Sequence, residues 1–151
     1  VREVSLERVD PSEALRRMRD DGWTYLDVRS EDEFSAGHPA GSLNLPLLRA
    51  TGAHGELEAN DAFVPTAIAL FPRDAPLVIG CASGRRSARA VAALAAAGFT
   101  RLADQNEGWD GTRDAFGSRV LPGWSGAKLP REDGEPDDRT WAALQRRAAR
   151  S

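Results

Sequence analysis

One cysteine and three arginines share a single ten-residue stretch, Gly80-Cys81-Ala82-Ser83-Gly84-Arg85-Arg86-Ser87-Ala88-Arg89. Cys81 is the only cysteine among 151 residues. A thiol attacks as its thiolate, and cationic neighbours and a helix N-terminus both favour that form. Guanidinium groups in turn hold oxyanions through paired N–H donors. Together these residue types point to a thiolate nucleophile acting on an anionic substrate. The plainer alternative is packing, since a lone cysteine closing a core strand is commonly a small buried hydrophobe. Gly84, which permits the backbone angles of a cradle, weighs against that alternative, as do three arginines in a loop that needs none for packing.

The flanking sequence supplies the elements that would position this loop. Pro76-Leu77-Val78-Ile79 is short and apolar, as a buried strand is, and Ala90 to Ala97 has helix propensity with Gly98 as its stop. Cys81 therefore sits where a strand hands over to a helix. A tight loop there aims successive backbone N–H groups at one point, and the helix adds the positive end of its dipole. The result is an anion-binding cup with a thiol at its lip.

The rest of the chain alternates strands and helices. Val4-Ser5-Leu6 reads as a strand, and a helix follows from Pro11, capped by Asp10 and ended by Gly22. Trp23 to Val28 reads as a buried strand. Ser30 and Glu33 form a capping box for a short helix ended by Gly37. Leu43-Asn44-Leu45 is a short strand, and Leu47 to Asn60 a polar loop without periodicity. Asn60 or Asp61 caps a helix presenting Phe63, Ala67, Leu70 and Phe71, and Thr100 to Ala103 is a further strand. Gly108-Trp109-Asp110-Gly111 is a turn expected beside the cup, forming part of its wall. Such alternation implies a parallel sheet covered on both faces, with ligands beyond the carboxyl ends of the strands. Residues 1–116 make the domain; residues 117–151 make an arm that Trp124 and Leu129 would hold against it. A last helix, capped by Asp137 or Asp138, presents Trp141, Leu144 and Ala148. Its basic end, Arg146, Arg147 and Arg150, reads as a solvated face.

Other polar residues take structural readings. Asp27 and Arg29 end a buried strand, where an ion pair pinning that end is favoured over chemistry. His38 lies in a Gly- and Pro-rich turn, and His54 in an exposed loop. Net charge is −3, so the overall field does not favour nucleic acid or an anionic membrane. One cysteine leaves no internal disulfide, and two histidines give a metal site almost no ligands. No apolar stretch reaches the length of a membrane span and no signal-peptide pattern opens the sequence, so the expected location is cytoplasmic. No cofactor is expected, and the expected state is a monomer or homodimer.

Cys81-x-Ser83-Gly84-x-Arg86-Ser87 resembles the active-site loop of the rhodanese family of sulfurtransferases. A second stretch agrees: Tyr25-Leu26-Asp27-Val28-Arg29-Ser30, then Glu33-Phe34, then Gly37-His38-Pro39-Ala40-Gly41-Ser42-Leu43-Asn44-Leu45-Pro46. Glu107-Gly108-Trp109 is a third, weaker match. The resemblance runs from about Val4 to Phe116. It implies an α/β fold of the rhodanese type, a mostly parallel five-stranded sheet flanked by helices on both faces, here followed by the C-terminal arm and helix. It implies a sulfane sulfur carried as a persulfide on Cys81, from thiosulfate or a similar anionic donor to a thiophilic acceptor: cyanide, a thiol or a protein thiol. Ala82, Ser83, Gly84, Arg85, Arg86 and Ser87 would then bind substrate. Arg85 is the candidate for donor contact, Arg86 for bracing the loop, and Arg89 for surface or ion-pairing roles. In the family, the histidine matching His38 is a turn residue. Three rivals remain: a sulfur relay, a rhodanese-like binding module, and a cysteine phosphatase or arsenate reductase. The last resembles Cys-x5-Arg, one residue longer than the spacing from Cys81 to Arg86.

Overall fold

The computed structural model describes residues 5–50 and 54–151. Its centre is a five-stranded sheet of β1 (Ser5–Val9), β2 (Thr24–Asp27), β3 (Leu43–Asn44), β4 (Leu77–Gly80) and β5 (Arg101–Gln105). Their spatial order is β1-β5-β4-β2-β3, and every pairing is parallel. The expected β4, which carries Cys81 at its carboxyl end, is the central strand. Val4, at the start of the first expected strand, lies outside the described residues.

Successive residues of the inner strands face opposite ways, as strand geometry requires. Leu26, Leu77, Ile79 and Leu102 join one core, and Tyr25, Val78 and Ala103 the other. Helices α3 (Phe63–Leu70), α4 (Arg85–Ala96) and α6 (Trp141–Ala149) contribute to the first, through Phe63, Ala67, Leu94, Trp141 and Leu144. Helices α1 (Pro11–Asp20) and the one-turn α5 (Gly123–Gly126) contribute to the second, through Ala14 and Trp124. The remaining helix, α2 (Glu31–Ala36), buries Phe34.

Asp10 caps α1 as its sequence implies, accepting the Glu13 N–H at 2.8 Å. Two other caps differ. The N-cap of α3 is Ala62; Asn60 instead accepts the Ala62 N–H at 3.1 Å and donates to the Pro46 carbonyl at 2.8 Å, holding the entry to the helix from outside. At α6 the cap is Thr140, whose hydroxyl accepts the Ala143 N–H at 3.1 Å, and not Asp137 or Asp138. The polar stretch after Leu47 also differs from a plain loop, because Leu48–Ala50 pairs antiparallel with Leu57–Ala59. That ribbon buries little, so it leaves no hydrophobic period to read.

The arm lies against the domain. Trp124 is fully buried, packed edge-on to Tyr25 with ring centroids 5.5 Å apart, and its indole N–H donates to the Pro130 carbonyl at 2.8 Å. Arg131–Glu132 pairs antiparallel with His38–Pro39.

Candidate active site

Cys81 follows β4 directly and is buried. The residues after it turn back sharply so that the Gly84 N–H points at the Cys81 sulfur, 3.1 Å away. Gly84 has φ +96°, and a Cβ there would stand 2.7 Å from the Asn106 carbonyl oxygen. Only glycine meets both conditions without strain. Helix α4 begins at the next residue, so the sulfur faces the helix's N-terminal end. Of the successive backbone N–H groups expected to converge here, the Gly84 N–H is the one bonded to the sulfur among the described residues.

A second turn closes over it. Trp109 donates its backbone N–H to the Cys81 carbonyl at 2.7 Å, and Asp110 donates to Ala82 at 2.8 Å. Gly108, with φ +69°, lies so close that a Cβ would sit 2.5 Å from the Cys81 carbonyl oxygen. Gln105 fixes this turn, its side-chain oxygen accepting the Glu107 and Gly108 N–H groups, each at 2.9 Å. Behind it the arm adds support: Trp124 N–H to Gly108 O at 2.9 Å, and Gly123 N–H to the Glu107 carboxylate at 3.0 Å.

The arginines part company. Arg86 is partly buried and grips Glu33 of α2 with two hydrogen bonds, 2.6 and 2.9 Å. Glu33 also accepts from the Ser30 backbone N–H at 3.1 Å and hydroxyl at 3.0 Å. Burial alone would raise the Glu33 carboxyl, but the Arg86 hydrogen bonds and charge, with the Ser30 contacts, outweigh it and hold it down to about 2. Arg85 is exposed at the mouth, and among the described residues no carboxylate pairs with it. Arg89 is exposed on α4. Ser87 is buried, its hydroxyl donating to the Gly84 carbonyl at 3.2 Å, within the first turn of the helix.

A cavity of about 470 Å³ opens over the loop, lined by Ser83, Arg85, Asp110, Gly111, Thr112 and Arg113. Of the loop expected to bind substrate, Ser83 and Arg85 line this cavity; Cys81, Ala82, Gly84, Arg86 and Ser87 do not, and the thiol lies buried beneath the loop. Arg113 is a wall residue that sequence reasoning passes over. The turn at Gly108–Gly111 signals its neighbourhood, but nothing local distinguishes Arg113 from a solvated charge.

Asp27 and Arg29 form a buried pair, Nη2 to Oδ2 at 2.8 Å, with Asn44 bonding the Asp27 and Arg29 carbonyls. The Arg29 guanidinium also lies 5.1 Å from the Trp109 ring, and Arg131 of the arm 4.8 Å from it. The pair thus braces the turn that bonds Cys81, with both Asp27 carboxylate oxygens occupied by Arg29. His38 is buried and stacked on Phe34 at 3.6 Å; Nδ1 meets the Phe34 carbonyl at 2.7 Å and Nε2 stands 3.9 Å from Glu132. Neither nitrogen is paired with the thiol. His54 is exposed.

Residues 10–115 match the family model described as Rhodanese-like domain. Senescence-associated protein DIN1 of Raphanus sativus is 36% identical over 94 residues, covering 62% of this chain and 50% of that protein, so the chain spans about half of that relative's length. Thiosulfate sulfurtransferase 16, chloroplastic, of Arabidopsis thaliana is 40% identical over 83 residues, 55% of this chain and 68% of that protein. The crystal structure of Rv0390 from M. tuberculosis superposes with a TM-score of 0.69 at 26% identity, covering 87% of this chain and all of that one.

Proposed function

The chain belongs to the rhodanese-like domain family, and on that premise we propose that it is a sulfurtransferase that carries a sulfane sulfur on Cys81. In the first half-reaction the Cys81 thiolate attacks the outer sulfur of thiosulfate or a like donor. The new S–S bond forms as the donor's own S–S bond breaks, leaving a Cys81 persulfide anion and releasing sulfite. In the second, an acceptor such as cyanide or a thiolate attacks the outer sulfur and leaves with it, restoring the Cys81 thiolate. A covalent intermediate shared by two half-reactions predicts ping-pong kinetics.

The observation that carries this reading is the Gly84 N–H aimed at the Cys81 sulfur at 3.1 Å, at the start of α4. The same donor and helix end stabilise an anion on either sulfur, so the cup serves thiolate and persulfide alike. Arg85, exposed at the mouth with no carboxylate partner among the described residues, would hold the donor's oxyanion; Arg86, engaged with Glu33, would keep the loop in register. No proton need move in either step once the thiol is ionised, which agrees with a site that brings no histidine to the sulfur.

Intact-mass measurement before and after thiosulfate, with Cys81→Ser in parallel, tests it. Gain of one sulfur on the wild type only, removed by cyanide, is the expected result. No gain from thiosulfate, mercaptopyruvate or a persulfide donor would overturn the enzymatic reading.

A further inference from the structure

After Gly111 the chain leaves the cavity wall as a two-stranded ribbon, Thr112–Arg113 paired antiparallel with Arg119–Leu121. Its tip is tightly held. Asp114 accepts the Phe116 and Ser118 N–H groups on one carboxylate oxygen, at 2.9 and 3.0 Å, and its own N–H donates to Ser118 O at 2.9 Å. Arg113 reaches across to the Gly117 carbonyl at 2.9 Å. All this order presents one phenylalanine to water: Phe116 is 93% exposed, with Val120 at 61% and Leu121 at 37% on the returning strand. A turn this well bonded gains nothing for the fold by carrying an aromatic at its tip. Pre-ordered aromatics are, however, what protein interfaces use as anchors, because little freedom is left to lose on binding.

The ribbon's base is the mouth of the site, since Thr112 and Arg113 line the same cavity as Ser83 and Arg85. Arg85, Arg113 and Arg119 have no carboxylate partner among the described residues, whereas Asp114 is occupied by the turn. Asp110 is the one carboxylate on that cavity wall among the described residues, so three arginines against one acid leave an apolar-tipped surface of net positive charge beside the cysteine loop, on a body of net charge −3. Phe116 stands at the far end of the ribbon from the cavity wall, away from a small anion seated there but within reach of a polypeptide.

Building on the sulfur-transfer reading, we propose that the ribbon of residues 112–121 docks an acidic polypeptide that presents its thiol to Cys81 and seats an apolar pocket or side chain on Phe116. Sulfur then passes from the Cys81 persulfide to the docked thiolate, which forms the new S–S bond as the Cys81 S–S bond breaks and the Cys81 thiolate is restored.

The probes are labelled synthetic peptides with one cysteine, a leucine pair about three residues away, about 10 Å in extended chain, and flanks of glutamate or of lysine. Binding is read by anisotropy with the peptide cysteine replaced by serine, so it is independent of the chemistry. The glutamate peptide should bind about tenfold more tightly than the lysine one, and added salt should narrow the difference. Phe116→Ala should weaken it on the order of tenfold, and Arg113→Ala should erode the preference for glutamate. With persulfide-loaded protein, Phe116→Ala should slow transfer to the cysteine peptide and leave release to cyanide unchanged. Equal binding by wild type and Phe116→Ala, or preference for lysine, overturns the proposal. A Phe116-dependent dimer in sedimentation velocity overturns it in favour of a second copy. If peptides bind through Phe116 but Cys81 never loads sulfur, the docking surface stands and the transfer reading falls.

Discussion

Glu33 and Arg86 join two motifs that lie far apart in the chain: one carboxylate closes the capping box of α2 and, through two hydrogen bonds of 2.6 and 2.9 Å, clamps the cysteine loop. Helix α2 and the loop therefore cannot shift independently. The pair is half-buried, so its hydrogen bonds are less diluted by water than those of a surface ion pair.

Glu33→Gln should cost about 1–2 kcal/mol at neutral pH, the range for a charge-assisted hydrogen bond that is partly solvated. The pH dependence has a definite sign. Folding lowers this carboxyl from 4.5 to about 2, so its contribution is complete above 4.5 and is lost as pH falls toward 2. Denaturant unfolding of wild type and variant should show a constant gap from pH 7 to 5 that closes below 4.5. A gap that persists at low pH would mean that lost packing, not the charge, is responsible.

Gly84→Ala and Gly108→Ala should both impair sulfur loading of Cys81. Each has positive φ, and a Cβ would come within 2.7 Å of Asn106 O in the first and 2.5 Å of Cys81 O in the second. A destabilisation of about 1–3 kcal/mol is expected for each from backbone strain and clash. Gly134→Ala is the control: its φ is +86°, but a Cβ there meets nothing within 4 Å. It should lose only the strain, about 1 kcal/mol, and load sulfur normally.

Much of this site is legible in the chain because its signals are local. Ser30 and Glu33 stand at the capping-box spacing, and the run into Cys81 is a buried strand followed by a glycine that only a left-handed turn explains. What is not legible is set by distance or by backbone. Nothing near Glu33 says that its second partner is Arg86, and nothing near Arg113 says that it walls the cavity. At α6, Asp137 and Asp138 have good capping chemistry, yet Thr140 adjoins the first turn and takes the bond. The ribbon of Leu48–Ala50 and Leu57–Ala59 is held by main-chain pairing with little burial, so its side chains carry no period.

Arg85→Ala and Arg86→Ala should separate donor binding from loop support. Arg85 is exposed on the cavity wall with no carboxylate partner among the described residues, so its removal should raise the KM for thiosulfate about tenfold, one lost charge-assisted contact. Stability should change by less than about 0.5 kcal/mol. Arg86→Ala leaves the Glu33 carboxylate without its cation, so it should lower both thermal stability and kcat. Single-turnover loading and thermal melts on both variants check this; equal melting temperatures would remove the bracing role from Arg86.

His38 gives the protein a second, independent pH response. Burial lowers its pKa; the Phe34 carbonyl and the carboxylates of Asp27 and Glu132 pull upward and Arg139 downward, and burial prevails. Glu132, held at about 2 by Arg139, stays charged throughout the relevant range. The unfolded chain therefore takes up a proton near 6.5 that the folded one still refuses. Stability contributed by neutral His38 is complete above 6.5 and declines as pH falls toward the lower folded value. His38→Gln cannot titrate, so its unfolding free energy should fall less steeply than that of the wild type from pH 7 to 5. It should also start lower, by about 1–2 kcal/mol, having lost the ring stacked on Phe34. Because Glu33 acts only below 4.5, the His38 response is read without it between 6.5 and 4.5. Parallel slopes for wild type and His38→Gln across the upper window would show that the imidazole takes its proton as readily folded as unfolded.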